Sequence, residues 1–230
     1  KTEVEKIWRH SNKATYFVYD TEKELMIPIS EDNKNLRNVK FSPNGNKIAY
    51  VRNDNNLYLY DLKKNRERKL TSSGSSTVLN GHFGWLYEEE LTGYDGYRWS
   101  PNGESIAYWE ENSSMVKEYS LIDDSSLYPS IKKIRYPKAG ESNPELRIGV
   151  IRIKGYGRKW IDVAITQNDY LPWMEWVNSE KIAFLKMDRK QQNWDMFISD
   201  RFSGKSLKIL SEADENGWLD NHGQIRFLND

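Results

Sequence analysis

The 230-residue sequence contains no cysteine, so it can form no disulfide or thiolate metal site and offers no thiol nucleophile. Its 34 basic and 34 acidic residues give a net charge of zero, which argues against a nucleic-acid or anionic-membrane partner held by bulk electrostatics. No apolar run approaches the ~20 residues of a membrane-spanning helix. His10, His82 and His222 show no metal-ligand spacing. We therefore expect no metal, no cofactor, no nucleic acid and no membrane span.

Motifs of common catalytic sites are also missing. Gly204-Lys205-Ser206 resembles the end of a phosphate-binding loop, but position 199 is Ser where that loop requires its first glycine. The sequence contains no G-x-S-x-G nucleophile elbow. Because the chain begins with Lys1 and has no visible signal peptide, we expect a piece of a longer protein. This piece alone is predicted to cleave nothing.

An internal repeat is the main fold signal. The segment Asn38–Thr71 resembles Tyr97–Ile122, Met174–Leu210 is a weaker copy, and a fourth copy begins within Ile225–Asp230. In the first two copies a short strand ends in an aromatic residue, a Ser-Pro-Asn-Gly turn follows, and the next strand is Ile-Ala-Tyr. Pro presets φ in such a turn, and Asn or Gly accepts a positive φ. The repeats therefore predict antiparallel strands joined by tight turns.

The predicted fold class is all-β, a fragment of a β-propeller. Four antiparallel strands in a repeat of roughly 40–50 residues are typical of one propeller blade. The only predicted helix is short and spans Trp85 to Leu91. Three blades cannot close a ring, because closed propellers use ~4–8. The predicted complete blades lie roughly at 38–71, 97–165 and 174–210, with partial blades at 1–30 and 217–230.

Four stretches of the sequence are distinctive in their order and spacing. They are "WRHS" (Trp8–Ser11), "GWLYEEEL" (Gly84–Leu91), "RWSPNGESIAYWEEN" (Arg98–Asn112) and "YPKAGESNPELRIGV" (Tyr136–Val150). Through them the chain resembles the propeller of the dipeptidyl peptidase IV family, in the prolyl oligopeptidase clan of serine peptidases. The pairing of "YPKAG…NP" with "W-x-YEEE" is the most specific part of the match.

The resemblance implies how the site works. In that family a C-terminal serine hydrolase domain lies over the propeller, and two residues are removed from the free N-terminus of a peptide, with Pro or Ala preferred second. The double-Glu motif that binds the N-terminal ammonium corresponds to Glu89 and Glu90. The arginine of "WRHS" is Arg9, which is expected to contact a substrate carbonyl and to pair with one glutamate. No catalytic residue is expected here, because the triad belongs to the absent domain.

Elementary electrostatics agrees with this assignment. A free α-amino group has a pKa near ~7.7–8.0. Two carboxylates within ~4–6 Å favour its charged form and accept charge-assisted hydrogen bonds. Trp85 and Tyr87 are expected to pack the short helix against its blade. Glu88 is predicted to face solvent or to cap the helix, and we leave it out of the site.

A long insertion predicts a partner. The segment 119–135 is longer than a blade hairpin needs, and the resemblance implies an arm that reaches a second subunit, so that the whole protein is a homodimer. A solvated hairpin is the alternative interpretation. The resemblance also implies an eight-bladed propeller in a periplasmic or secreted protein of a bacterium.

Two other functions remain open. A prolyl tripeptidyl peptidase has the same fold but binds the N-terminal amine of its substrate differently. A non-enzymatic propeller would use the same face to bind proteins or peptides. The gene beyond Asp230 separates these classes, because an enzyme needs a G-x-S-x-G elbow followed by Asp and His.

Overall fold

The structure, a computed structural model, describes residues 1–30, 32–155, 157–220 and 225–227. The described chain contains twenty strands and one short helix, arranged in antiparallel sheets. The prediction of an all-β propeller fragment with one short helix is confirmed. His222 and half of the predicted partial blade 217–230 lie outside the described residues.

Two small hairpins open the chain. An isolated antiparallel bridge between Ala14 and Leu36 connects the first hairpin to the segment that leads into the first large sheet. Both residues are buried, so the hairpins pack against that sheet. The hairpin strands are β1 (Thr2–Lys6), β2 (Asn12–Thr15), β3 (Phe17–Asp20) and β4 (Leu25–Pro28).

The first large sheet is a four-stranded meander. Its tight turn follows from the Ser-Pro-Asn-Gly sequence: Gly45 adopts a φ of 69° and donates its N–H to the carbonyl of Ser42 at 2.9 Å. The strand after this turn is buried on both faces, with the neighbouring residues Ile48 and Ala49 at 1% exposure or less. The strands are β5 (Arg37–Phe41), β6 (Lys47–Val51), β7 (Leu57–Asp61) and β8 (Arg66–Lys69).

The second sheet repeats this turn and receives the insertion. Gly103 adopts a φ of 68° and donates its N–H to the carbonyl of Ser100 at 2.8 Å. Two strands inside the repeat form a separate exposed hairpin, which we call the arm. The sheet contains β9 (Val78–Asn80), β10 (Tyr97–Trp99), β11 (Ser105–Asn112), β14 (Glu145–Arg152) and β15 (Arg158–Trp160); the arm contains β12 (Glu118–Asp123) and β13 (Ser130–Arg135).

The third sheet makes its turn with a different residue. Asn178 lies where the other two sheets have Ser-Pro-Asn-Gly, and its side-chain oxygen accepts the backbone N–H groups of Glu180 and Lys181, both at 2.9 Å. This side-chain turn explains the weaker sequence match of the third copy. The strands are β16 (Asp169–Tyr170), β17 (Met174–Trp176), β18 (Lys181–Asp188), β19 (Asn193–Asp200) and β20 (Ser206–Ala213).

The three sheets pack face to face through apolar cores. Ala49 and Leu57 of the first sheet pack with Tyr97 and Ile106 of the second. A larger core joins the second and third sheets and includes residues of the helix. Small alanines near the middle of the inner strands allow the sheets to approach closely, and the Tyr97 hydroxyl donates to the Ala49 carbonyl at 2.8 Å across the first interface.

The leading strands of the three sheets lie side by side. Lys40 of β5 contacts Asp95 at 2.6 Å, Asp95 contacts Arg98 of β10 at 3.1 Å, and Arg98 contacts Glu175 of β17 at 3.4 Å. A polar row along successive leading strands is the arrangement expected around the axis of a propeller. The helix α1 (Trp85–Leu91) directly precedes β10 in the chain.

Candidate functional site

The helix α1 is fixed at both ends by backbone contacts. Gly84, the residue before the helix, donates its N–H to the Glu111 carboxylate of β11 at 2.9 Å. Thr92 ends the helix with a φ of 54°, and Gly93 donates its N–H to the Tyr87 carbonyl at 2.8 Å. The predicted helix boundaries are therefore those observed.

Tyr87 anchors the helix in the core between the second and third sheets. Its side chain is 1% exposed and stacks on Phe83 with ring centroids 5.2 Å apart. Its hydroxyl accepts the backbone N–H of Leu171 at 3.0 Å. The Trp85 ring lies 4.2 Å from that of Tyr136, in the segment that follows the arm. These contacts fix the rotation of the helix and hence the directions of its three glutamates.

Arg9 and Glu89 form a two-point contact. The Arg9 backbone N–H donates to one oxygen of the Glu89 carboxylate at 3.2 Å, and the guanidinium Nε donates to the other at 2.7 Å. The hydrogen bond and charge of Glu89 raise the pKa of Arg9, and the hydrogen bond from the Arg9 side chain lowers the pKa of Glu89. Both groups are therefore charged at neutral pH. The Arg9 side chain remains 70% exposed, so it is accessible to a ligand.

Glu90 follows Glu89 on the helix and is exposed. The structure thus places two predicted site residues in contact, Arg9 and Glu89, and leaves the third, Glu90, on the adjacent helical position. An exposed carboxylate beside an ion-paired one favours a ligand that presents both a cation and a hydrogen-bond acceptor. A peptide N-terminus, with its ammonium and its first carbonyl, has these two groups.

Glu88 corrects one expectation. We predicted that it faces solvent or caps the helix, but its side chain is 1% exposed and the helix has no side-chain cap. One carboxylate oxygen accepts the backbone N–H groups of His10 at 2.6 Å and Ser11 at 2.7 Å. A sequence signal for this burial exists, because Glu88 lies three residues before the buried Leu91 and so shares a helix face with it.

The arm packs against the segment that contains Arg9. The Lys132 ammonium lies 4.7 Å from the ring centroid of Trp8. A cleft of about 420 Å³ separates the arm from the start of α1, and its lining includes Trp8, Trp85, His82 and Glu111. Burial lowers the pKa of His82 to about 3 and raises that of Glu111 to about 7.

The arm itself exposes large apolar side chains. Ile122 is 69% exposed, Leu127 91%, Tyr128 81% and Ile131 67%. Such a concentration is unusual on a solvated hairpin and is typical of an interaction surface.

Two further features concern the part of the chain that the structure describes, a metal site and a membrane-spanning helix. In the described ranges, no group of three or more His, Cys, Asp or Glu side chains could hold a metal ion. Among these same residues no helix is long and apolar enough to span a membrane.

Known proteins resemble the whole chain. The family profile described as "Dipeptidyl peptidase IV (DPP IV) N-terminal region" matches residues 1–230. Dipeptidyl aminopeptidase B of Saccharomyces cerevisiae is 31% identical over 92% of this chain and 26% of its own length. Dipeptidyl peptidase 4 of Felis catus is 32% identical over 93% of this chain and 30% of its own length. The chain therefore spans less than a third of these two relatives.

Solved structures agree on the fold. The crystal structure of Porphyromonas gingivalis dipeptidyl peptidase 4 matches 93% of this chain and 31% of its own with a TM-score of 0.88 and 29% sequence identity. A putative dipeptidyl aminopeptidase IV from Bacteroides ovatus matches with a TM-score of 0.71 at 18% identity, which supports the fold alone.

Proposed function

Because this chain belongs to the dipeptidyl peptidase IV family and matches its N-terminal region, we propose that it is the substrate-binding propeller portion of a serine-type dipeptidyl peptidase. The whole protein removes N-terminal dipeptides, Xaa-Pro or Xaa-Ala, from peptides. A C-terminal hydrolase domain supplies the nucleophile and its triad. The residues described here bind the substrate and orient it, and they cleave nothing alone.

The observation that supports this proposal most is the Arg9–Glu89 contact on a rigid helix with Glu90 exposed beside it. The substrate ammonium binds between Glu89 and Glu90, where it gains charge-assisted hydrogen bonds. The guanidinium of Arg9 keeps Glu89 ionised and donates to a substrate carbonyl. Because the helix is anchored through Tyr87, the ammonium lies at a fixed distance from the nucleophile. That distance selects the second peptide bond and excludes blocked or internal segments.

The arm extends the proposal to assembly. We propose that 119–135 reaches a second copy of the protein and forms a homodimer, which its exposed apolar side chains support. We also propose that the protein works in the periplasm or outside the cell, where peptides with free N-termini are its substrates.

Product analysis tests the proposed activity. Two peptides with proline in second place, identical except that one is N-acetylated, are incubated with the full-length protein, and the products are identified by mass spectrometry. We expect a dipeptide from the free peptide and at least tenfold slower cleavage of the acetylated copy, because an amide carries no charge for the glutamates. Tripeptide release would support the tripeptidyl alternative, and no release from either peptide would support a binding module.

Replacing Arg9 by alanine should weaken substrate positioning and leave the fold intact. Arg9 is largely exposed and adds little to stability, whereas its loss leaves a substrate carbonyl without its charged donor. We expect kcat/KM for Xaa-Pro substrates to fall roughly tenfold in the full-length protein, with an unchanged melting temperature. A variant that unfolds would instead assign Arg9 a structural role. Lys23→Ala, which removes an exposed cation paired with Asp20, is the control for charge alone.

A further inference from the structure

The five residues 7–11, which we call the Arg9 loop, connect β1 to β2, and none of them is fully buried. Arg9 and His10 are exposed, and Ile7, Trp8 and Ser11 are partly buried. Inside the loop, the Ile7 N–H donates to the Ser11 carbonyl at 3.0 Å, which closes a tight turn. A surface loop of this kind is mobile unless contacts from outside hold it.

Two consecutive glutamates of α1 supply such contacts. Glu89 binds the backbone and side chain of Arg9, and Glu88 accepts the next two backbone N–H groups, those of His10 and Ser11. The residues are 77 to 80 positions apart in the chain. The helix is therefore hydrogen-bonded to three successive residues of the loop. Glu88 is the buried member of the two glutamates that make these contacts.

The two glutamates differ in what a ligand can reach. Glu88 is 1% exposed, so it does not contact a peptide in the site, whereas the side chain of its neighbour Glu89 is 15% exposed and that of Arg9 70%. A buried carboxylate is unfavourable unless hydrogen bonds and nearby charge compensate it. Besides its two backbone donors, Glu88 has the charge of Arg37 nearby: burial lowers the pKa of Arg37, and the charges of Glu88 and Glu5 oppose that lowering.

We propose that Glu88 is a positioning residue, which fixes the Arg9 loop so that the Arg9 guanidinium meets Glu89 and the substrate carbonyl in one geometry. This inference rests on the proposed function of Arg9, Glu89 and Glu90 and adds a residue that touches no substrate. Without Glu88 the Arg9 loop samples several conformations, and substrate binding must restrict them at the expense of affinity.

Amide hydrogen exchange tests the anchoring independently of activity. In the full-length protein, Glu88→Ala should accelerate exchange of the peptide that covers the Arg9 loop at least tenfold, because two amides lose their acceptor. Glu88→Gln keeps a carbonyl acceptor and should change exchange less than threefold. Glu110→Gln is the control: Glu110 is also buried in the second sheet, but its hydrogen-bond partners in the described chain are Arg147 and Ser73, away from this loop.

Kinetics test the positioning. Glu88→Ala should raise KM for an Xaa-Pro substrate roughly tenfold, with a smaller change in kcat. Glu88→Gln should keep KM close to the wild-type value, because the amide oxygen still accepts hydrogen bonds. In an Arg9→Ala background the same Glu88→Ala change should have less than a threefold effect, because the group it positions is gone.

Three results separate the possibilities. Unchanged exchange of the Arg9 loop in Glu88→Ala would overturn the anchoring. Equal loss of kcat/KM in the wild-type and Arg9→Ala backgrounds would overturn the positioning and leave Glu88 a general stabiliser. If Arg9→Ala and Glu89→Gln both leave dipeptide release unchanged, the proposed function fails, and the exchange result still decides whether Glu88 anchors the loop.

Discussion

Replacing Glu89 or Glu90 by glutamine in the full-length protein is expected to lower kcat/KM for Xaa-Pro substrates by at least ~10²-fold. Glutamine keeps the size of the side chain and removes the charge, so the substrate ammonium leaves water for a site that no longer compensates it. Glu89→Gln also breaks the ion pair with Arg9, which is 2.7 Å long in the structure. We therefore expect the larger effect at Glu89. Initial rates over a range of substrate concentrations give kcat/KM for each variant and for the wild type.

Two controls make this result specific. Glu104→Gln changes an exposed glutamate in the turn of the second sheet, whose ion-pair partner is Arg201, and should leave the rate unchanged. The rates of wild type and the Glu89 and Glu90 variants should differ less on an N-acetylated substrate than on the free one, since the acetylated peptide has no ammonium for these carboxylates to bind. Wild-type rates for Glu89→Gln and Glu90→Gln on the free substrate would remove the anchoring role from both residues.

The Glu111 carboxyl should contribute stability that is lost as pH rises from about 4.5 to about 7. Burial raises the pKa of Glu111 from its ordinary value of 4.5 to about 7, so the folded chain binds this proton more tightly than the unfolded chain does. The contribution is complete below the unfolded pKa and is lost as pH rises through the folded pKa. The shift corresponds to about 3 kcal/mol of unfolding free energy. Buried His82, whose pKa is lowered to about 3, contributes in the opposite direction over much of this range. The Glu111 contribution is therefore measured as a difference between wild type and variant, by denaturant unfolding at several pH values followed by tryptophan fluorescence.

Glu111→Gln isolates this effect from all other titrating groups. The amide oxygen still accepts the Gly84 N–H at the start of α1, but it does not titrate. The difference in stability between wild type and variant should therefore grow with pH over this window, in favour of the variant. A difference that is flat between pH 4.5 and 8 would mean that Glu111 keeps an ordinary pKa.

Much of the fold follows from local sequence, because the turns are encoded where they occur. Gly45 and Gly103 occupy positive φ at the same place in two copies of Ser-Pro-Asn-Gly, and the strands after them are apolar on both faces. The third sheet was harder to recognise, since Asn178 replaces that turn with side-chain hydrogen bonds. The helix over Trp85–Leu91 was also predictable, because no competing strand pattern crosses it.

The site was only partly predictable for a physical reason. The resemblance pointed to Arg9, Glu89 and Glu90, but the role of Glu88 depends on amides that lie 77 and 78 residues away in the chain. Helical spacing could place Glu88 on the face of Leu91. An acidic residue with no evident partner in the sequence is nevertheless predicted to be exposed. Every non-proline residue has a backbone N–H, so the sequence does not indicate which amides bind Glu88. Only the tertiary structure shows this contact.

The most direct measurement is a crystal structure of the full-length protein with an uncleaved peptide that has a free N-terminus. We predict the peptide nitrogen within hydrogen-bonding distance, ~2.7–3.2 Å, of both the Glu89 and the Glu90 carboxylates, with the Arg9 guanidinium on a peptide carbonyl. A peptide amine that lies in solvent, or that contacts other acids while Glu89 and Glu90 stay unoccupied, would contradict the account.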